Sequence, residues 1–91
     1  MRVRWTGPAT QDLTRIVEYI RKDSSPNALR VARTIYAGVA SLRTMPERGR
    51  IGEAPNTREL VFSPLPYVAV YEIVHDQVQV LRIRHTSQKW P

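Results

Sequence analysis

The last third of the chain is the segment that most constrains the fold. Between residues 57 and 85, runs rich in valine, isoleucine and aromatic residues alternate with short turn-forming stretches. They predict three strands, at Arg58–Phe62, Tyr67–Val74 and Val78–His85. Because Tyr67–Val74 is apolar on both faces, we expect it at the centre of a sheet. The stretch His75–Gln77 is short enough to predict a tight hairpin connection between the second and third strands.

The N-terminal half carries a helical pattern. Met1–Trp5 alternates between apolar and charged residues, which predicts a short strand. From Ala9 to Lys22, apolar residues recur at the spacing of one helix face, and Pro8 suits the first helical turn. We expect the charged residues of this helix, including Asp12, to occupy its exposed face.

A second helix follows a break at Asp23–Asn27. Ser25 is the predicted N-cap and Pro26 the predicted first helical residue, and the helix should run to about Thr44. The stretch from residue 47 to residue 56 holds two glycines and a proline and is predicted to be a loop.

The order strand, helix, helix and three strands predicts one α+β domain over residues 1–91. The connection between the helices is short, so we expect them to pack as an antiparallel hairpin. That hairpin should cover one face of a mostly antiparallel, four-stranded sheet.

Composition narrows the class of partner. The net charge is +6, and arginine accounts for 12 of the 14 cationic residues. Arginine binds phosphates and carboxylates through two parallel hydrogen bonds, so nucleic acid and an acidic protein segment are both candidate partners. A solvated basic surface is the third interpretation.

Other functions are disfavoured by what the sequence lacks. The absence of cysteine rules out a disulfide framework and a thiolate metal site, and we expect no metal and no cofactor. No apolar run is long enough for a signal peptide or a membrane span, so a cytoplasmic protein with no membrane partner is expected.

Several segments, taken in order, resemble the RelE/ParE superfamily of toxins from bacterial type II toxin–antitoxin systems. The matching segments are Trp5 with the first helix, Pro46–Arg50, Thr57–Leu60, Pro66–Tyr71 and Val80–Pro91. The resemblance covers nearly the whole chain. It implies a growth-inhibiting toxin of the plasmid-stabilisation type, silenced in a hetero-oligomer by an antitoxin with an acidic, partly disordered C-terminal segment.

The superfamily divides by target. RelE-type members cut mRNA on the ribosome, whereas ParE-type members are associated with inhibition of DNA gyrase. Val68 stands where RelE-type toxins place an arginine, and Gln88 stands near their tail arginine. Their C-terminal tyrosine has no counterpart, because the chain ends at Trp90-Pro91. The resemblance therefore favours ParE-type inhibition, with a ribosome-dependent mRNA endoribonuclease as the alternative and a non-toxic, basic nucleic-acid-binding module as the second alternative.

Four residues are candidates for catalysis if the chain is a ribonuclease. His85 suits acid–base chemistry because imidazole titrates near neutrality, although a structural histidine bonding the C-terminal tail is the competing interpretation. Arg82 and Arg84 share one predicted strand face, where phosphate binding competes with a buried salt bridge to Glu59 or Glu72. Arg58 is either a phosphate ligand or part of an ion pair with Glu59.

A second set of residues is predicted to bind the target or nucleic acid. Arg48 and Arg50 lie in the glycine-containing loop before the sheet. Gln88, Lys89 and Trp90 lie in the C-terminal tail, where the indole is suited to stack on a base or to pack against the sheet.

Overall fold

The computed structural model describes residues 1–87. Its elements are β1 (Arg2–Trp5), α1 (Gly7–Arg21), α2 (Ser25–Ala40), β2 (Arg50–Ile51), β3 (Arg58–Val61), β4 (Tyr67–Val74) and β5 (Gln77–His85). The strands form one sheet in the order β1-β5-β4-β3-β2, against which the two helices pack. The predicted α+β class is confirmed.

The sheet has five strands rather than the predicted four. The additional strand, β2, lies in the stretch predicted to be a loop, and its residues Arg50 and Ile51 pair with Glu59 and Arg58 of β3. Strand β1 runs parallel to β5, and the other neighbours are antiparallel. Strand β4 is central, as its apolar pattern predicts.

Side-chain caps set where the helices begin. The Thr6 hydroxyl caps α1 by accepting a hydrogen bond from the Ala9 N–H at 3.4 Å, and it donates to the Val80 carbonyl at 2.7 Å. Ser24, rather than the predicted Ser25, caps α2 by accepting from the Asn27 N–H at 3.2 Å. Helix α1 therefore begins at Gly7, before the predicted Ala9, and α2 begins at Ser25, before the predicted Pro26.

The second helix also ends earlier than predicted. It stops at Ala40, and a 3₁₀ turn at Ser41–Arg43 continues the chain. The Ser41 hydroxyl donates to the Gly38 carbonyl at 2.6 Å, which satisfies one of the carbonyl groups left open at the helix end.

The core lies between the two helices and the side of the sheet that they cover. Its largest members are fully buried and come from both layers: Ile35, Val39, Leu42, Tyr71, Val78 and Val80. Gly38 lets α2 approach the sheet closely, since a Cβ there would lie 2.5 Å from the Phe62 ring. Burial of this apolar surface is the main stabilising contribution to the domain.

Asp12 is buried, which corrects its predicted place on the exposed face of α1. Strand β1 ends at Trp5, opposite Val80, so β5 continues past its parallel neighbour. At that point Asp12 accepts the Ile83 backbone N–H at 3.0 Å. A helix carboxylate thus replaces the missing strand at the edge of β5, and sequence periodicity does not reveal such an exchange.

The hairpin between β4 and β5 is tight, as predicted, but its loop has two residues, because Gln77 belongs to β5. Val74 pairs with Gln77, and His75 and Asp76 adopt left-handed backbone conformations with φ of 52° and 59°. This conformation matches the twist of the flanking strands.

Within residues 1–87, no helix combines the length and apolar character needed to span a membrane.

Candidate functional site

Arg82 and Arg84 lie on β5 but reach different carboxylates. Arg82 pairs with Val70 of β4, and Val80 pairs with Tyr71, so Leu81 is an extra residue without a cross-strand partner. This bulge changes the local direction of the strand before both arginines.

The Arg82 side chain binds Asp12 of α1. Its Nε donates to Asp12 Oδ2 at 2.7 Å, and its Nη2 donates to Asp12 Oδ1 at 3.0 Å. The hydrogen bonds and charge of Asp12 raise the pKa of Arg82, so it stays fully cationic. The predicted partners Glu59 and Glu72 were wrong for this residue. The Arg15 guanidinium lies 3.9 Å from the same carboxylate, on the exposed side.

Glu59 is the centre of a second ion cluster. Arg50 donates to Glu59 Oε1 through Nε and Nη2, at 3.2 and 3.0 Å. Arg84 Nη2 and the Glu53 N–H donate to Oε2, at 3.2 and 3.3 Å. Burial opposes ionisation of Glu59, but these hydrogen bonds and the charges of Arg50 and Arg84 hold its pKa below the usual value. The buried salt bridge predicted as one alternative for Arg84 is confirmed.

The side chains of Tyr71 and Arg58 hold the loop Pro46–Arg50 in place through hydrogen bonds to its backbone. The Tyr71 hydroxyl donates to the Pro46 carbonyl at 2.7 Å and accepts the Gly49 N–H at 2.9 Å. Arg58 Nη1 donates to the carbonyls of Gly49 and Glu47, at 2.8 and 3.2 Å. A Cβ at Gly49 would lie 2.7 Å from the Tyr71 ring, so the close approach requires glycine. Burial raises the pKa of Tyr71, which keeps its hydroxyl protonated as a donor.

Arg58 therefore has a different role from the one predicted by the ion-pair hypothesis. Its side chain donates hydrogen bonds to loop carbonyls, and Glu59 is paired with Arg50 and Arg84. The side chains of adjacent strand residues point to opposite faces, which explains why Arg58 and Glu59 do not meet.

The predicted target-binding residues Arg48 and Arg50 are brought together at the edge of the sheet. Arg48 Nη1 donates to the Ser41 hydroxyl at 2.6 Å, and Arg50 binds Glu59. Both side chains line an open cleft of about 280 Å³ beside Leu60 and Val61. The other predicted members of this set, Gln88, Lys89 and Trp90, lie outside the described residues.

His85 is exposed at the end of β5. Its Nδ1 accepts the Ser87 N–H at 3.1 Å and lies 2.8 Å from the Ser87 hydroxyl. The ring also contacts Tyr67 edge to face, with 5.6 Å between centroids. Bonding to Ser87 favours the interpretation of His85 as a structural histidine that holds the start of the tail.

One cleft brings two of the four catalytic candidates together. It has a volume of about 340 Å³ and lies between α1 and the end of β5, and its polar lining is Asp12, Arg15, Tyr19, Tyr67, Arg82 and His85. Arg84 and Arg58 are not part of it. Asp12, Arg15 and Tyr19 were not predicted to be neighbours of this site, because nothing in the helical pattern indicates which residues of α1 face β5.

The described chain offers no obvious metal site. Across residues 1–87, no three side chains of histidine, aspartate or glutamate are grouped to hold an ion.

Comparisons with known proteins give a consistent result. The family model described as "ParE toxin of type II toxin-antitoxin system, parDE" matches residues 3–90. "Putative toxin Y4kP" of Sinorhizobium fredii is 41% identical over 90 residues, covering 99% of this chain and 93% of that protein. "Toxin RelE2" of Caulobacter vibrioides is 42% identical over 86 residues, covering 94% and 96%.

A solved structure also matches the fold of this chain. A chain from the "Chromosomal ParDE TA system from P. aeruginosa" superposes with a TM-score of 0.86 and is 28% identical in sequence. The match covers 93% of this chain and 95% of that one.

Proposed function

Since the chain belongs to the ParE toxin family of type II toxin–antitoxin systems, within the RelE/ParE superfamily, we propose that it inhibits growth by binding DNA gyrase. Under this proposal it acts in the cytoplasm as a binding inhibitor without a cofactor, and a plasmid or chromosome that encodes it is stabilised by the toxin–antitoxin pair. A cognate antitoxin silences it in a hetero-oligomer.

One observation carries the choice of a binding mechanism over a nuclease. Ribonuclease chemistry needs cationic groups free to stabilise the phosphorane and a titratable group free to move protons. Here Arg82 binds Asp12, Arg84 binds Glu59 and Arg58 binds loop carbonyls. These three arginines support the fold, which favours a toxin that works through its surface.

Charge supports the antitoxin part of the proposal. The net charge of +6 suits a partner with an acidic segment. The similar Pseudomonas structure is titled as a ParDE toxin–antitoxin system, and we extend that kind of partnership to this chain. An antitoxin segment that is partly disordered when free would fold as it binds.

A second candidate, ribosome-dependent mRNA cleavage, is favoured by the cleft between α1 and β5. His85 and Arg82 line it together with Tyr67, so a proton-transfer group, a cation and an aromatic ring lie near one another. In that case His85 would serve as acid or base and Arg82 would have to exchange Asp12 for phosphate.

The test is to induce the chain alone in bacterial cells and to measure mRNA 5′ ends, plasmid supercoiling and the DNA-damage response in the same culture. Variant His85→Asn removes the candidate acid–base group at an exposed position, so the fold should survive. His75→Asn is the matched control, because asparagine tolerates the left-handed conformation of that hairpin residue.

Intact mRNA, altered supercoiling and full toxicity of both variants are the results expected for a gyrase-directed toxin. New mRNA ends that disappear in His85→Asn and persist in His75→Asn would refute the proposal in favour of the nuclease. Normal growth during induction of a folded chain would instead support the non-toxic, nucleic-acid-binding alternative.

A further inference from the structure

A second cleft, which shares no lining residue with the cleft at His85, has no role in the function proposed above. It lies between the edge strand β1 and the C-terminal end of α2 and has a volume of about 480 Å³. Strand β1 lies at the edge of the described sheet, next to β5, and its residues Arg2, Val3 and Trp5 line this cleft. Val3 and Val39 form part of its apolar lining, and the remaining lining includes the cationic groups described next, which we call the rim.

The rim is cationic. The Met1 ammonium group, Arg2 and Arg43 line the cleft, and no acidic side chain of residues 1–87 lines it with them. The Met1 ammonium donates to the Arg43 carbonyl at 3.3 Å, which holds the two ends of the rim together. Within residues 1–87, the guanidinium groups of Arg2 and Arg43 have no hydrogen-bonding or ion-pair partner. This differs from Arg50, Arg82 and Arg84, whose charges are each matched by a carboxylate.

An aromatic pair lies beside these cations. The rings of Trp5 and Tyr36 are nearly parallel, at 11°, with 6.2 Å between their centroids. Tyr36 is 63% exposed although it is large and apolar, so part of this aromatic surface faces solvent. An exposed aromatic surface next to unneutralised arginines is the combination that binds single-stranded nucleic acid, where bases stack and phosphates meet the cations.

We propose that the cleft between β1 and α2 binds single-stranded nucleic acid. A base stacks on the Trp5–Tyr36 pair, and the flanking phosphates contact Arg2, Arg43 and the Met1 ammonium. An acidic peptide would satisfy the cations but would leave the aromatic pair without a planar partner, which is why nucleic acid fits better. The inference goes beyond the proposed function, because it does not depend on gyrase being the target.

The test measures fluorescence anisotropy of labelled oligothymidylate and oligouridylate titrated with the full chain made by cell-free synthesis. Both titrations are run at about 50 mM and about 200 mM salt. Three phosphate contacts predict a slope of log affinity against log salt of about −2, and the double variant Arg2→Gln with Arg43→Gln should reduce its magnitude by about 1.4. Tighter binding of thymidylate identifies DNA as the ligand, and tighter binding of uridylate identifies RNA.

The aromatic part of the site is tested separately. Tyr36→Ala should weaken binding at least about five-fold, whereas Tyr36→Phe keeps the ring and should keep the affinity. Both variants change an exposed side chain, and equal thermal unfolding curves would verify that the fold is kept. Arg21→Gln is the matched charge control, because it removes an exposed arginine at the end of α1 that does not line the cleft.

Three results would overturn the inference. The first is no anisotropy change at low salt, and the second is an Arg21→Gln loss as large as that of the Arg2 and Arg43 double variant. The third is displacement of the oligonucleotide by a glutamate-rich peptide at a lower concentration than by unlabelled oligonucleotide, which would assign the cleft to an acidic protein. None of these results bears on gyrase inhibition, which is read from supercoiling in cells.

Discussion

Arg82 and Asp12 form a two-point ion pair that joins the last strand to the first helix across 70 positions of sequence. The same carboxylate also accepts the Ile83 N–H, so one side chain closes the edge of β5 and neutralises an arginine. This arrangement assigns Arg82 a structural role, and the stability of the domain should reflect it.

Replacing Asp12 with alanine should lower the free energy of unfolding by about 2 kcal/mol. The change leaves the Ile83 N–H and the Arg82 guanidinium without their acceptor, and the loss is moderated because the Arg82 side chain is 43% exposed. Arg15→Gln, which breaks the exposed 3.9 Å contact with the same carboxylate, should cost less than about 0.5 kcal/mol. Urea unfolding measures both, and similar losses in the two variants would contradict the assignment.

Acid should destabilise the domain through Glu59. Its folded-state pKa lies below the unperturbed value of 4.5, so its stabilising contribution is complete above pH 4.5 and is lost as the pH falls through the lower, folded-state value. Glu59→Gln should cost about 3 kcal/mol at neutral pH and should flatten this part of the acid profile.

Thermal unfolding followed from neutral pH into the acid range measures this effect. Glu18→Gln, at an exposed position of α1, is the control and should keep the profile of the unmodified chain. A Glu59→Gln profile as steep as that of the unmodified chain would show that another carboxylate is responsible.

Tyr71→Phe should loosen the loop Pro46–Arg50. The change removes the hydroxyl that binds the Pro46 carbonyl and the Gly49 N–H, and leaving these groups unpaired should cost about 1–3 kcal/mol. Trypsin should then cut faster after Arg48. Tyr19→Phe, at an exposed position, should change neither quantity; unchanged cleavage in Tyr71→Phe would mean that Arg58 alone holds the loop.

Gly38→Ala should destabilise the chain although alanine favours helices. The helix preference contributes about 1 kcal/mol, but the new methyl group would lie 2.5 Å from Cε1 of the buried Phe62, and such overpacking costs about 1–3 kcal/mol. Gly7→Ala, where a Cβ meets no atom within 4 Å, should be neutral or stabilising. Chemical denaturation should therefore show a lower free energy of unfolding for Gly38→Ala and an equal or higher one for Gly7→Ala. An equal loss in both variants would contradict this prediction.

Local patterns predicted the parts of the fold that depend on local forces. The limits of β4 match the prediction, and those of β5 differ by one residue, because alternation and turn residues specify a strand and its hairpin. Strand β2 was missed because two residues carry no periodicity. Its pairing with β3 brings Arg50 to Glu59, nine positions away, and the two side chains bind each other.

The site was less predictable than the fold. The sequence shows that Arg82 and Arg84 interrupt an apolar strand, but it does not show which carboxylate each one meets. Those partners depend on the bulge at Leu81 and on the point at which β1 ends, and both follow from tertiary packing. The gathering of Arg48 and Arg50 at one edge was foreseeable because both lie in one short loop.

The parallel pairing of β1 with β5 has a consequence for synthesis of the protein. Residues Arg2 to Trp5 leave the ribosome before the other elements described here, and their partners Gln77 to Val80 belong to the last described strand. The nascent chain therefore cannot pair β1 into the sheet until β5 has emerged, since contacts so distant in sequence form late. Chains that terminate before β5 should therefore lack the assembled sheet and the surfaces that it supports.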